Sequence, residues 1–394
     1  RSGDQFYPYR QGSDFFYLSG INQDGSALVL SPGHPDPLFR EILFIRDSDP
    51  KTELWSGSQL SRDQAAALSG ISQVRLMEEM DSIVKKMIPR IKIAYLEHSD
   101  NGTASSHLRT SRKVLYDKLT TQYPELGISP LSPLMIRLRM VKEYEELEEI
   151  RKAAAITRSA FLRVLDTLKP GMREYEVEAE LTAEFIRRGA EGHAYETIVA
   201  CGKNALTLHY VANNGLCEDG ALLLMDFGAD VNNYAADCSR TVPVNGKFSK
   251  RQRQVYDAVV RVFKQAREMM QPGIIMADFH SGIGLLWEEE HIGLGLYSRE
   301  EADTATPSDP LWKKYFMHGT SHSLGLDVHD PFDRSVPFHP GMVLTCEPAI
   351  YIPEEGLGIR LENDMLITEN GAVDLMEDIP LEAEEIEEFM QRER

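Results

Sequence analysis

From Glu143 onward the apolar positions Leu147, Ile150, Ala154, Phe161, Leu165 and Leu168 recur mostly at steps of three and four, until Pro170-Gly171 interrupts them. Such spacing lays one apolar stripe along one side of a helix, so a long amphipathic helix is expected there, ended by the proline and glycine. A second pattern runs from Glu174 to Arg188 and stops at Gly189; a third, Lys250 to Met270, stops near Pro272-Gly273. The acidic stretch Leu381–Glu388 reads as a solvated amphipathic helix. Ahead of all these, residues 1–135 mix short apolar strand signals, Ala27–Leu30 and Ile42–Ile45, with helix-like stretches such as Asp81–Ile88. That mixture predicts an α/β domain, after which the proline-containing stretch Ser129–Pro133 leads to the junction. The expected division is 1–135 and 139–394, with fold class α/β (α+β) and strands alternating with helices in two similar halves of the C-terminal part. No short tandem repeat or low-complexity segment is visible.

Two strand signals end on acids. Ala221–Met225 is an apolar run closed by Asp226; after the turn residues Val231, Asn232 and Asn233 the chain leads through Tyr234 to Asp237. A symmetric hairpin centred between Val231 and Asn232 places Asp226 opposite Asp237, with Cβ atoms about 4.5–5.5 Å apart. The same construction recurs downstream. Gly341–Cys346 is a strand signal ending at Glu347, Pro353-Glu354-Glu355-Gly356 supplies turn chemistry, and Glu362 follows in the returning strand. Centring that hairpin between Glu354 and Glu355 sets Glu347 across from Glu362. Taken singly, each acid is equally readable as a solvated strand-end residue; two hairpins built alike point to a shared purpose.

Like charges this close push a proton onto one member of each pair unless a cation neutralises them, and two divalent ions would balance four carboxylates. The histidine-rich segment Phe316–Asp330 supplies His318, His322 and His329, and Gly202–Tyr210 supplies His209. Neutral imidazole is a ligand for borderline metals, and a neighbouring histidine can donate to a carbonyl oxygen as it becomes an oxyanion. One histidine as ligand and the others as helpers is the simplest assignment, with Asp226, Asp237, His322, Glu347 and Glu362 as the metal set. Oxygen donors with a single imidazole and no thiolate favour manganese, with cobalt or zinc as competitors. Two such ions about 3.5 Å apart can hold a bridging hydroxide, which makes hydrolysis the natural chemistry.

Composition narrows the partners. The chain has 394 residues, 42% of them hydrophobic, and a formal net charge of −20. Such acidity disfavours nucleic acid. No apolar stretch approaches the roughly 20 residues of a membrane helix, and no charged-then-apolar leader opens the chain, so a cytoplasmic location without membrane association is expected. Cys201, Cys217, Cys238 and Cys346 lack zinc-finger spacing and read as reduced and buried. The glycosylation pattern Asn101-Gly102-Thr103 reads as chance.

From about Arg139 onward the chain resembles the creatinase and aminopeptidase family with the pita-bread fold, and within it the aminopeptidase P and prolidase branch. The matching segments are Met225–Gly228, Ala236–Thr241, His318–Asp330, Glu347-Pro348 and Gly358–Glu362. The N-terminal part resembles the corresponding domain of that branch in Tyr7–Gln11, Ser13–Phe15 and Glu53–Gly57. The resemblance implies internal pseudo-two-fold symmetry in the C-terminal domain and the five metal ligands already named, with Asp237 and Glu362 bridging two ions. It further implies substrate-binding and transition-state roles for His209, His318 and His329, and an arginine beside the bridging glutamate at Arg360, for which a purely structural ion-pair role stays equally open. Trp55 matches a tryptophan that in some members reaches a neighbouring subunit's substrate pocket, although packing is the commoner role of such a residue; Asp4 falls where such members carry an acidic partner. Ser323 departs from the pattern, since relatives often carry an aromatic residue there, and it is a candidate for altering the pocket wall. Family members usually extend upstream of Arg1, which implies truncation or processing.

The implied activity is removal of an N-terminal residue when proline follows it, with Glu347 as proton shuttle and His329 stabilising the oxyanion. The implied partners are a peptide with proline second and further copies of the chain, as homodimer or homotetramer. A prolidase confined to dipeptides is the alternative within the same chemistry, and a non-catalytic protein-binding module the alternative outside it.

Overall fold

The computed structural model describes residues 9–47, 53–55, 57–97, 111–306 and 309–392. Asp4, Tyr7, Pro8, Ser56 and the Asn101-Gly102-Thr103 pattern lie outside them. Two compact units are present, Arg1–Met135 and Ile136–Arg394.

In the first unit, strand Glu41–Ile45 lies between Ala27–Leu30, antiparallel, and Val74–Leu76, parallel. Alternate residues of this central strand enter different cores. Leu43 and Ile45 pack with Ile21, Ala65, Ile71 and Val74, while Ile42 and Phe44 pack with Met87. A strand covered on both faces reads as an unbroken apolar run, as this one does. Helix Arg62–Ser69 begins with a capping box between Ser61 and Gln64 and ends at Gly70 in a left-handed conformation (φ 72°). The proline-containing stretch ahead of the expected junction is regular structure: Gly127–Pro130 pairs in parallel with Ile93–Leu96, and Ser132–Arg139 is a helix. Pro133 sits in the first turn of that helix, where its missing N–H costs nothing.

The second unit repeats one theme, a pair of helices followed by antiparallel strands. Helices Tyr144–Thr167 and Glu174–Arg187 pack together and precede strands Ile198–Cys201, Leu222–Phe227 and Cys238–Pro243, which form one sheet. Helices Lys250–Met269 and Met276–Gly293 pack together and precede strands Val343–Cys346, Asn363–Thr368 and Gly371–Asp374, which form another. Ile150, Ala153, Ala154, Thr157, Ala160, Phe161, Val164 and Leu165 form the buried stripe of the first helix. Val255, Tyr256, Val259, Val262, Phe263 and Ala266 do the same in Lys250–Met269, which starts at a Ser249–Gln252 capping box.

The first hairpin departs from its expected register. Cys238 pairs with Phe227 and Ser239 with Asp226, so Asp226 does not face Asp237 directly. The turn is Asn232-Asn233, both at positive φ (51° and 66°), and Val231 belongs to the strand, paired with Tyr234. A two-residue hairpin turn of type I′ requires left-handed backbone at both central positions, and asparagine tolerates it better than valine; the centre therefore moves one residue along. Asp237 becomes a diagonal neighbour of Asp226 on the same face of the pleat. At the crossing a Cβ on Gly228 would lie 1.7 Å from the Ala236 carbonyl oxygen, so only glycine fits. In the second hairpin Cys346 pairs with Asn363 and Ala349 with Arg360, a register that sets Glu347 across from Glu362. A bridge between Ser239 and Glu362 joins the two hairpins.

Candidate metal centre

At that bridge the acids gather. Asp237, His322 and Glu362 offer donor atoms that all lie within 4.8 Å of one another. His322 Nε2 is 3.3 Å from Asp237 Oδ2 and 3.9 Å from both Glu347 Oε1 and Glu362 Oε1. Asp226 flanks the group, sharing the Tyr195 hydroxyl with Asp237: that oxygen is 2.7 Å from Asp226 Oδ1 and 2.6 Å from Asp237 Oδ1.

Three features of these side chains fit divalent cations. Tyr195 has one hydroxyl hydrogen for two carboxylates, so the second acid needs another positive partner. His322 Nδ1 lies 3.1 Å from the Ser323 carbonyl oxygen, which makes Nδ1 the donor and turns the Nε2 lone pair toward carboxylate oxygens. A proton or a metal must sit between them. Burial lowers the His322 pKa, but the hydrogen bond to Asp237 and the charge of Glu347 outweigh it and push it to about 9. The carboxylates respond in kind. Burial pushes Glu347 up to about 7, against His322 and with Asp237. Burial, then the charges of Asp237 and Glu347, raise Glu362 far above the usual range, and burial raises Asp226 against the opposing charge of Arg360. Oxygen donors with one imidazole and no thiolate suit a hard or borderline divalent ion, and such an ion would release the protons this cluster otherwise holds.

Arg360 is 5% exposed and fully engaged. Nη2 donates to Asp226 Oδ2 at 2.6 Å, Nη1 to the Tyr351 hydroxyl at 2.8 Å and Nε to Ser239 Oγ at 2.8 Å. Ser239 Oγ in turn donates to Glu362 Oε2 at 2.7 Å. His318 has both ring nitrogens committed: Nδ1 lies 2.7 Å from the Gly319 carbonyl oxygen and Nε2 3.1 Å from the Tyr351 hydroxyl. Nδ1 is also 3.5 Å from Glu347 Oε2, and burial drives the ring down to about 3, so His318 is neutral. His329 stacks on His322 with ring centroids 3.9 Å apart, and burial followed by the charge of His322 lowers its pKa. His209 is exposed and close enough for its charge to act on His318 and His329. Trp55 belongs to the other unit and is 81% exposed. Ser323 is buried, its backbone bridged to Leu344.

Sequence reasoning missed Tyr195, Ser239, Tyr351 and Asp364. Asp364 is fully buried; Oδ2 accepts from the Asp237 N–H at 3.2 Å and Oδ1 has no hydrogen-bond partner among the described residues. Ser239 and Asp364 lie two positions beyond Asp237 and Glu362, so strand periodicity alone could have found both. Tyr195 and Tyr351 carry no such local signal.

The residues behind His329 form a second charged cluster. Asp330 accepts from Arg139 Nη2 at 2.6 Å and from Lys142 Nζ at 2.9 Å, and Arg139 Nη2 also donates to Asp327 at 2.8 Å. The Asp327 N–H donates to Asp330 Oδ1 at 3.1 Å, so the loop bearing His329 is tied down on both sides of that residue.

Residues 148–369 match the model of metallopeptidase family M24, and residues 1–94 match that of the aminopeptidase P N-terminal domain. The chain is 35% identical to the Xaa-Pro aminopeptidase of Escherichia coli strain K12, over 99% of this chain and 91% of that one. It is 33% identical to human Xaa-Pro aminopeptidase 3, over 98% and 78% respectively. Among solved structures it resembles zinc-substituted E. coli aminopeptidase P in complex with product, with TM-score 0.88 and 33% identity over 100% of this chain and 92% of that one. It also resembles Pseudomonas aeruginosa aminopeptidase PepP, with TM-score 0.86 and 31% identity over 98% and 90%. The expected pita-bread architecture is thereby established, and the chain belongs to metallopeptidase family M24, as a metal-dependent hydrolase that also carries the aminopeptidase P N-terminal domain.

Proposed function

We propose that this chain removes the N-terminal residue from peptides whose second residue is proline, using two divalent metal ions held by Asp226, Asp237, His322, Glu347 and Glu362. The observation that carries this reading is the convergence of Asp237, His322 and Glu362 around one point, with Asp226 and Glu347 alongside. Such ions, when bound, supply Lewis acidity and activation of a water molecule. Manganese is the metal proposed, on the strength of the oxygen-rich donor set, and the zinc-substituted E. coli relative makes zinc a competitor to test.

The chain's own groups account for the remaining steps. Glu347, titrating near neutrality and beside the ligand histidine, can take up a proton and pass it to the departing proline nitrogen. His329, neutral and held by its stacked partner and by the Asp330 cluster, donates to the oxyanion, while His209 on the exposed side and His318 on the buried side bound the substrate. Arg360 fixes Asp226 and, through Ser239, Glu362. An Xaa-Pro bond has no N–H on its nitrogen, so a site devoted to it cannot rely on that contact.

We assign the catalytic domain to 139–394 and the N-terminal domain to 1–135. Trp55, exposed on the N-terminal unit beside the equally exposed Leu54, is assigned to a neighbouring subunit's pocket in a homodimer or homotetramer. A cytoplasmic location is supported by four free, buried thiols, and no helix among the described residues is long and apolar enough to cross a membrane.

Elemental analysis alongside cleavage of a dipeptide and a tripeptide, each with proline second, tests the reading. Two metal equivalents per chain with release of the first amino acid from the tripeptide support it. Cleavage of the dipeptide alone makes the enzyme a prolidase, and no cleavage with full metal content rejects the enzyme altogether.

A further inference from the structure

The loop bearing His209 is held by a carboxylate that the metal chemistry does not use. Glu174 opens helix Glu174–Arg187 and is 0% exposed. Its Oε1 accepts from the Cys201 N–H at 2.7 Å and from Asn204 Nδ2 at 2.8 Å; its Oε2 accepts from the Gly215 N–H at 2.6 Å and from the Tyr210 hydroxyl at 2.8 Å. Cys201 and Gly215 are the two ends of the loop, and Asn204 and Tyr210 lie within it. All four donors are neutral, so hydrogen bonds and the place at a helix N-terminus are what make the buried charge tolerable. The loop also has a seat. Its first turn, Gly202–Leu206, lies so close to the second hairpin of the catalytic unit that a Cβ on Gly358, two residues before Arg360, would come 2.6 Å from the Ala205 carbonyl oxygen. Leu206, Leu208 and Tyr210 pack on the main core, while His209 is exposed. At the far end Asn213, at φ 42°, accepts the Val199 N–H on Oδ1 at 2.9 Å and donates from Nδ2 to the Thr197 carbonyl oxygen at 2.8 Å. A Cβ on Gly215 would stand 2.7 Å from Glu174 Oε1, so glycine is what lets the carboxylate reach the loop end.

We propose that Glu174 is a positioning residue for substrate binding: by holding both ends of the loop and Tyr210, the neighbour of His209, it fixes where His209 meets the peptide. The inference rests on the substrate-binding role given to His209 above. An exposed histidine on a loop contributes its full contact only when the loop is ordered beforehand, since ordering it during binding subtracts from affinity. One carboxylate supplies that order to four donors at once. Glutamine cannot. Its amide offers one acceptor oxygen and one NH2, so whichever way it turns, the backbone N–H of either Cys201 or Gly215 faces another donor.

Full-length, metal-loaded wild type, Glu174→Gln, His209→Ala and the double variant are compared in cleavage of a tripeptide with proline second, alongside hydrogen exchange of the segment 202–215 read by mass spectrometry. Glu174→Gln should speed exchange in that segment, keep the metal content of the wild type, and lower kcat/KM by up to about 100-fold, with the loss carried by KM more than by kcat. In the His209→Ala background the same change should cost little more, because the residue it positions is gone. Tyr210→Phe removes one of the four donors and should show a smaller loss of the same kind, again only where His209 is present; it decides the matter if Glu174→Gln folds poorly. A loss by the same factor with and without His209 overturns the proposal, because Glu174 would then support the fold alone. So does an unchanged KM in Glu174→Gln. A wild type that leaves the tripeptide intact defeats the function proposed above; a wild type that cleaves it and is impaired by His209→Ala, beside a Glu174→Gln variant that is not impaired, defeats only the role of Glu174.

Discussion

Arg360 Nη2 donates to Asp226 Oδ2 at 2.6 Å, tying the second hairpin of the catalytic unit to the first. Arg360 is buried and Asp226 mostly so, and the same guanidinium reaches Tyr351 and Ser239. Removing one partner of a buried ion pair leaves the other charge unbalanced and costs about 3–5 kcal/mol. Arg360→Met should therefore destabilise metal-free protein by that order in urea denaturation. Saturating divalent metal should recover part of the loss, because the ions replace the missing positive charge beside Asp226. Equal losses with and without metal would show that Arg360 is only a packing and hydrogen-bonding element.

Tyr195 stands between Asp226 and Asp237 with one hydrogen to give. Groups that orient metal ligands typically contribute 10–100-fold in metal affinity or activity. Tyr195→Phe preserves the ring and removes the hydroxyl. Chelator-competition titration should show metal affinity about 10–100-fold weaker, with the metal-free form also losing some thermal stability, since the carboxylate that accepts the hydroxyl hydrogen is left without it. A variant that binds metal as tightly as the wild type would remove Tyr195 from the site.

Much of this arrangement was legible in the chain, and the unread part has physical causes. The helix from Tyr144 and the one from Lys250 follow three- and four-residue apolar steps because one stripe of each faces the core. Helix Met276–Gly293 escaped notice because Gly282 and Gly284 interrupt its pattern: a Cβ on Gly284 would stand 2.4 Å from the Trp312 ring, so the glycine serves a packing partner remote in sequence. The first hairpin slipped by one residue because its turn is decided by which residues tolerate positive φ, a local preference that symmetric centring ignored. The second needed no such choice, since Gly356 (φ 63°) lies in the expected turn. Tyr195 and Tyr351 reach the acids through tertiary folding alone, from positions without any motif.

Proton occupancy and metal occupancy compete at this site. His322 is raised from 6.5 to about 9 and Glu347 from 4.5 to about 7. In metal-free protein both groups bind protons more tightly folded than unfolded, so their stabilising contribution is complete at low pH and is lost as pH rises, through about 7 for Glu347 and about 9 for His322. Metal must displace these same protons, so its affinity should move the other way, climbing by about tenfold per pH unit for each proton displaced. Calorimetric titration between pH 6 and pH 9 in buffers of different ionisation enthalpy would measure the released protons. Metal affinity independent of pH across that range would mean that His322 and Glu347 do not bind the ion.

The loop carrying His329 is fixed from behind by charge. Asp330 is 6% exposed and holds the buried ammonium of Lys142 and the guanidinium of Arg139, while its Oδ1 also accepts from the Asp327 N–H. Asp330→Asn keeps the shape and one acceptor oxygen but deletes the negative charge facing two buried cations, which should cost about 3 kcal/mol or more in denaturant unfolding. Arg139 retains Asp327, so Lys142 bears most of that loss. Pairing the change with Lys142→Met separates the two effects. The double variant should be less destabilised than the sum of the single ones, because each removes the group that makes the other costly. A close approach constrains the alternatives: a Cβ on Gly325 would come within 2.8 Å of Asp330 Oδ2, so bulkier replacements at 330 or any side chain at 325 would shift the loop itself. If Asp330→Asn loosens His329 as well, turnover should fall further than substrate affinity, and Lys142→Met should reproduce part of that fall while leaving Asp330 in place.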